Sequence, residues 1–193
     1  MSKTVIDCLP LPERQKTALR NARITQQCLA DAVVQRDRLT QDEKAQYVER
    51  LIALQPQLAG NIAVLQRLCV DSATVEPLTD LLRMIIIALE KAHIDLPPAS
   101  ENLVERCYES VTTRIAQEGN PRLSPQQRSQ TIQDYVEQHP EQWLLAYTFS
   151  LAKPLQESTE EDSVVIMLTA TVFTFVEVFT ALLHPYEGKV KAH

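Results

Sequence analysis

Glu90-Lys91-Ala92-His93 is a Glu-x-x-His at helical spacing, so its two side chains share one face of a helix. A carboxylate and an imidazole so placed can ligate a metal. Di-iron bundles use two such pairs with two further carboxylates. A second Glu-x-x-His does not occur in this chain. The plainer reading is a histidine at a helix C-terminus, where its charge complements the dipole. Glu177 and His184 lie seven residues apart on about the same helical face, a spacing at which they could share a proton or a cation. The four histidines and the four cysteines (Cys8, Cys28, Cys69 and Cys107) are scattered, without zinc spacing or a C-x-x-C pair. The expectation is no metal and no cofactor.

Other chemistries are excluded by composition. With 3 Gly in 193 residues, the chain lacks the glycines of a dinucleotide fingerprint, a phosphate-cradling loop or a nucleophile elbow. Hydroxyl residues are common, but none is marked as a nucleophile beside a base. The net charge of −6 disfavours nucleic acid, which calls for a basic surface. The cysteines read as small buried thiols, and Met1 to Gln15 lacks the apolar run of a secretory signal. The expected compartment is the cytoplasm.

The charge is unevenly spread. Residues 1–70 carry net +3 and residues 71–193 net −9. Arg14, Lys16, Arg20 and Arg23 lie within three turns of a first helix. They form either a solvated face or a docking face for an acidic partner, such as the acidic part of a second copy. Nine of the ten aromatic residues follow residue 100. Tyr135, Trp143, Tyr147 and Phe149 fall close together, as core or as the wall of a pocket.

The elements that position these residues are helices, since no segment alternates with period two between turn pairs. Eight are expected. The first runs from Pro12 or Glu13 to about Leu39. Thr40 and Glu43 form a capping box for the second, with Tyr47, Val48, Leu51, Ile52 and Leu54 on one face. Pro56 opens a third, through Leu58, Ile62, Leu65 and Leu68. Asp71 or Ser72 caps the fourth, to about His93. Pro97-Pro98 breaks the chain. The fifth carries Leu103, Val104, Cys107, Val111 and Ile115, and stops at Gly119-Asn120-Pro121. Ser124 and Gln127 box the sixth, which carries Ile132, Tyr135 and Val136 and ends at His139-Pro140. The seventh runs to about Lys153, and Ser158 caps the eighth, to about His184.

Two of these helices, about 78–93 and 162–184, are apolar almost all round and must be surrounded. The expected fold is an all-α single-domain bundle over 1–193, with a possible weak subdivision at Pro97-Pro98. Residues 164–183 also have the length of a membrane anchor. Against that stand Glu177 deep in the segment, an acidic upstream flank, and a small, partly polar stripe of Ser163, Ala170, Thr174, Glu177 and Ala181. The functional expectation is a non-enzymatic protein-interaction, adaptor or regulatory module that self-associates as a homodimer. The alternatives are a membrane-associated protein anchored by 164–183, and an enzyme or carrier that holds a small ligand or metal through Glu90, His93 or Glu177.

Overall fold

The computed structural model describes residues 22–68, 71–118, 124–158 and 162–185. Among them are eight α-helices and no strand: α1 Gln26–Arg38, α2 Gln41–Leu54, α3 Pro56–Arg67, α4 Ser72–Lys91, α5 Glu101–Glu118, α6 Pro125–Gln138, α7 Gln142–Ser158 and α8 Asp162–Leu183. The chain is an all-α bundle.

Local chemistry sets most starts. The Thr40 hydroxyl accepts from the Glu43 N–H, and the Glu43 carboxylate accepts from the Thr40 N–H at 2.8 Å. Ser124 and Gln127 exchange the same pair of bonds. Asp71 accepts from the Thr74 N–H and caps α4, while Pro56 opens α3. Pro77 lies inside α4, past the first turn where a missing N–H would cost little, so it removes the helix bond to the Ala73 carbonyl.

Three boundaries differ from expectation. The first helix is not continuous to Leu39 from before residue 22. Thr25 caps a fresh start at Gln26, and Arg23 and Ile24 lie outside any helix with their N–H groups bonded to Glu141. Residues 12–21 lie outside the described residues. The seventh helix continues past Lys153 to Ser158, through Pro154, because one lost backbone bond does not end it. Ser158 is therefore the last residue of α7 and not the cap of α8. Residues 119–121 and 159–161 also lie outside the described residues.

The two apolar helices are the centre of the bundle. In α4 every side chain from Leu81 to Leu89 is buried. In α8 Phe175, Val176, Val178 and Phe179 have no exposed surface. α1, α2 and α3 cover α4, α5 and α7 flank α8, and α6 packs on α7. Each large side chain so enclosed stabilises the fold by roughly 1.5–3 kcal/mol. One charge, Arg83, is buried within this α4 run. It pairs with Asp80 and, at 3.7 Å, with Glu76, and burial pulls its pKa down. Between the helices, the Arg36 guanidinium of α1 donates to the Tyr147 hydroxyl of α7.

Among the described residues, one helix, Ser163–Leu183, is long and apolar enough to cross a membrane. Most of it is enclosed by protein, and its small stripe faces α5: Ala170 and Thr174 are fully buried there, and Glu177 meets Arg114 of α5. α8 is thus a core helix of the bundle.

Two apolar stripes bury fewer residues than expected. In α2 only Leu51 is buried, while Ile52 and Leu54 are exposed. In α3 Leu58, Ile62 and Leu65 turn inward, but Val64 and Leu68 are 49% and 58% exposed. A step of one residue rotates a side chain about 100° round a helix, so Val64 and Ile52 leave the stripe of their neighbours.

Candidate functional site

Val64 and Leu68 border a groove of about 490 Å³ between α3, α5 and α8. On α3, Gln57, Asn61, Val64 and Leu68 follow one another at spacings of four, three and four, which makes a single stripe. The facing wall is α5, with Glu101, Val104, Glu105 and Tyr108, the last 41% exposed. The floor is α8, with Met167, Thr171 and Thr174. Both floor hydroxyls are satisfied within their own helix: Thr171 donates to the Met167 carbonyl at 2.9 Å and Thr174 to the Ala170 carbonyl at 2.7 Å. The groove combines apolar side chains with Gln57 and Asn61 on α3 and an acidic rim at Glu101 and Glu105.

Glu90 and His93 do not act as a pair. The Glu90 carboxylate is held by α2: Tyr47 Oη donates to Oε2 at 3.1 Å, and Arg50 Nη1 lies 2.5 Å from Oε1. Burial and the Glu90 charge push the Tyr47 hydroxyl up, which keeps it a donor. His93 follows α4 with φ 55°, in the left-handed region. Its N–H donates to the Glu90 carbonyl, and the Ile94 N–H to the Leu89 carbonyl, which closes the helix in a Schellman motif. Glycine is the usual residue there, because a side chain costs about 1–2 kcal/mol. His93→Gly should therefore raise the stability by about 1 kcal/mol in urea unfolding. A loss of stability would show that the imidazole makes a compensating contact.

Glu177 and His184 also part company. Glu177 Oε1 accepts from Arg114 Nη1 at 3.1 Å and from Tyr135 Oη at 2.8 Å, and the Arg114 guanidinium stacks 3.7 Å from the Tyr135 ring centre. His184 instead meets Glu141, with Nε2 2.7 Å from Oε1. The Glu141 carboxylate has no exposed surface. It also accepts the Arg23 N–H at 2.8 Å and the Ile24 N–H at 3.1 Å. One carboxylate thus fixes the chain before α1 to the end of α8. Nothing local in the sequence marked Glu141, because its partners lie far along the chain. The aromatic group disperses in the same way. Tyr135 serves Glu177, Tyr147 serves Arg36, and Phe149 packs edge-on against Phe173.

Burial and then Glu177 push the Cys107 thiol up to about 11, so it is a poor nucleophile at neutral pH. Among the described residues, Cys28 and Cys107 are free thiols and half-buried, less enclosed than expected. No described group of three or more His, Cys, Asp or Glu side chains could hold a metal.

His139 lies between the two clusters. Its Nδ1 accepts the Glu141 N–H at 3.2 Å, which leaves Nε2 buried without a partner. Tyr135 meets its ring edge-on at 5.5 Å. Burial lowers the His139 pKa below the ordinary 6.5, against the opposing pull of Glu177, while Arg114 and His184 add to the lowering. The folded state then binds fewer protons than the unfolded state below pH 6.5. The His139 contribution is complete above that value and is lost as pH falls toward the lowered folded pKa. The thermal midpoint should fall between pH 7.5 and 5.5, and His139→Asn, which keeps an acceptor for the Glu141 N–H, should flatten the decline. Equal slopes for the two proteins would contradict this.

Of the basic docking candidates, Arg23 is exposed, with its backbone N–H held by Glu141. Arg14, Lys16 and Arg20 lie outside the described residues. No protein-family model, no characterised protein and no solved structure matches this chain.

Proposed function

We propose that this chain is a non-enzymatic helical interaction module that self-associates, with a second copy seated on the groove between α3, α5 and α8. The observation that carries the reading is the exposure of Val64, Leu68 and Tyr108 along one groove. Clustered exposed apolar side chains mark association surfaces in soluble proteins.

Charge selects a second copy as the occupant. The α5 rim is acidic at Glu101 and Glu105, while α3 ends in the exposed Arg67. In a twofold pairing each patch meets its own complement, so Arg67 of one copy faces Glu101 and Glu105 of the other. The charges set orientation and encounter rate, and the apolar side chains supply the affinity. The opposite net charges of residues 1–70, which include Arg14, Lys16, Arg20 and Arg23, and of residues 71–193 fit the same complementarity between copies. The free thiols at Cys28 and Cys107 fit a reducing, cytoplasmic setting.

Leu68→Asp tests the reading. Leu68 is exposed in the single chain, so the variant should melt within about 0.5 kcal/mol of wild type. Light scattering at high micromolar concentration should give a monomer for this variant and a dimer for wild type. Ile132→Asp, an equally polar change on α6, should leave the dimer intact. A Leu68→Asp protein that keeps the wild-type mass would remove the groove from the interface.

A further inference from the structure

Two side chains close the corner between α6 and α7. Gln142 Nε2 donates to the Glu137 carbonyl at 2.8 Å, and His139 Nδ1 accepts the Glu141 N–H at 3.2 Å. His139 is 4% exposed, and its Nε2 has no partner. With Nδ1 as the acceptor, the one proton of the neutral ring sits on Nε2. A single backbone bond thus holds the ring in a single tautomer. Glu141 supplies that bond, and its buried carboxylate holds the N–H groups of Arg23 and Ile24. One residue therefore joins the His139 ring to the segment before α1.

A second proton disturbs this corner. It enters at Nδ1, where it meets the Glu141 N–H donor to donor, and the Nε2–H of the charged ring still lacks an acceptor. A buried charge with unmet donors is relieved when the ring moves to water. The Glu141 backbone then loses its acceptor, and the carboxylate it carries loses its fixed place against Arg23 and Ile24. The charged and titratable groups round the ring, among the described residues, are Tyr135 of α6, Glu141, Arg114 of α5, and Glu177 and His184 of α8. Burial outweighs the pull of Glu177 and of the Glu141 peptide on the proton, and Arg114 and His184 add to the opposition. His184 works the other way on the anchor, since its own proton strengthens its pairing with Glu141. We propose that His139 is an acid-sensitive latch, whose protonation raises the population of an open state in which the segment before α1 is off the bundle. This opening is local, so it precedes the global unfolding that the thermal midpoint reports.

The test is hydrogen exchange of the full chain at pH 7.5 and 5.5, read residue by residue as protection factors. At both values Arg23, Ile24 and Glu141 should be at least about tenfold less protected than Leu81 to Leu89 of α4, as a local opening requires. Their protection should fall about tenfold on acidification, because a ring open to water titrates at the ordinary 6.5, one unit above the lower pH. His139→Asn, which keeps an acceptor for the Glu141 N–H, should abolish the fall. His184→Gln, which keeps a donor for the Glu141 carboxylate, should retain it. Should His139→Asn lose its cooperative thermal transition, His184→Gln decides alone: a retained fall supports the latch, and a lost fall overturns it. Protection at Arg23 and Ile24 equal to that of α4, no fall on acidification, or a full fall in a folded His139→Asn protein would each overturn it as well.

Discussion

Phe175→Asp should leave the chain without a cooperative thermal transition. Phe175 has no exposed surface and sits in the middle of α8, the helix that packs against both α5 and α7. The change removes an aromatic contact worth about 3–5 kcal/mol and adds an unpaired buried carboxylate that costs several more. The sum is comparable to the entire stability of an ordinary domain, about 5–15 kcal/mol. Phe175→Leu, which keeps the apolar character, should cost only about 1–2 kcal/mol and stay folded. Circular dichroism during heating separates the two variants. If α8 were an anchor outside the core, Phe175→Asp would melt like wild type, and residues 1–158 would fold alone. The enclosure of α8 predicts instead that residues 1–158 are insoluble or molten.

Glu141→Leu should destabilise the fold by about 3–5 kcal/mol, the largest effect expected from a polar side chain here. The leucine leaves the N–H groups of Arg23 and Ile24 without an acceptor, and it leaves His184 without its partner. Ile24 is fully buried, so water cannot reach its N–H unless the segment detaches from the bundle. Glu141→Gln keeps one acceptor oxygen and should cost about half as much. Urea unfolding gives the energies, and hydrogen exchange at Arg23 and Ile24 locates the loss. A Glu141→Leu protein within about 1 kcal/mol of wild type, with both amides still protected, would show that the carboxylate does not hold this segment.

The parts of the fold that local chemistry controls were legible in the sequence. The capping boxes at Thr40 and Ser124, the Asp71 cap and Pro56 act within a few residues of themselves, and the structure has a helix start at each. The central roles of α4 and α8 followed from apolar character on every face. The start at Gln26 was hidden for the opposite reason. Thr25 has no Glu or Gln three residues on, and the carboxylate that holds Arg23 and Ile24 lies 117 or more positions away. Glu177 stands out in the sequence as a charge deep in an apolar segment, but its partner Arg114 is brought to it only by the packing of α5 on α8.

The groove was hidden by the same dependence on tertiary arrangement. Leu68 continues the apolar spacing of Leu58, Ile62 and Leu65, so periodicity alone assigns it to the core. It is exposed because α3 ends at Arg67, and the wall that faces it belongs to a helix more than thirty residues later. The Glu90 and His93 pairing failed on a shorter scale. Helical spacing aligned the two residues, but the helix ends at Lys91, so His93 stands past the last turn.

Self-association through the groove is the central claim, and sedimentation equilibrium of the full chain in detergent-free buffer tests it most directly. The account predicts one soluble species of about twice 21.8 kDa at high micromolar concentration. The dimer should persist in high salt, because apolar side chains supply its affinity and salt screens only the charges. A single species near 21.8 kDa over the same range would contradict it.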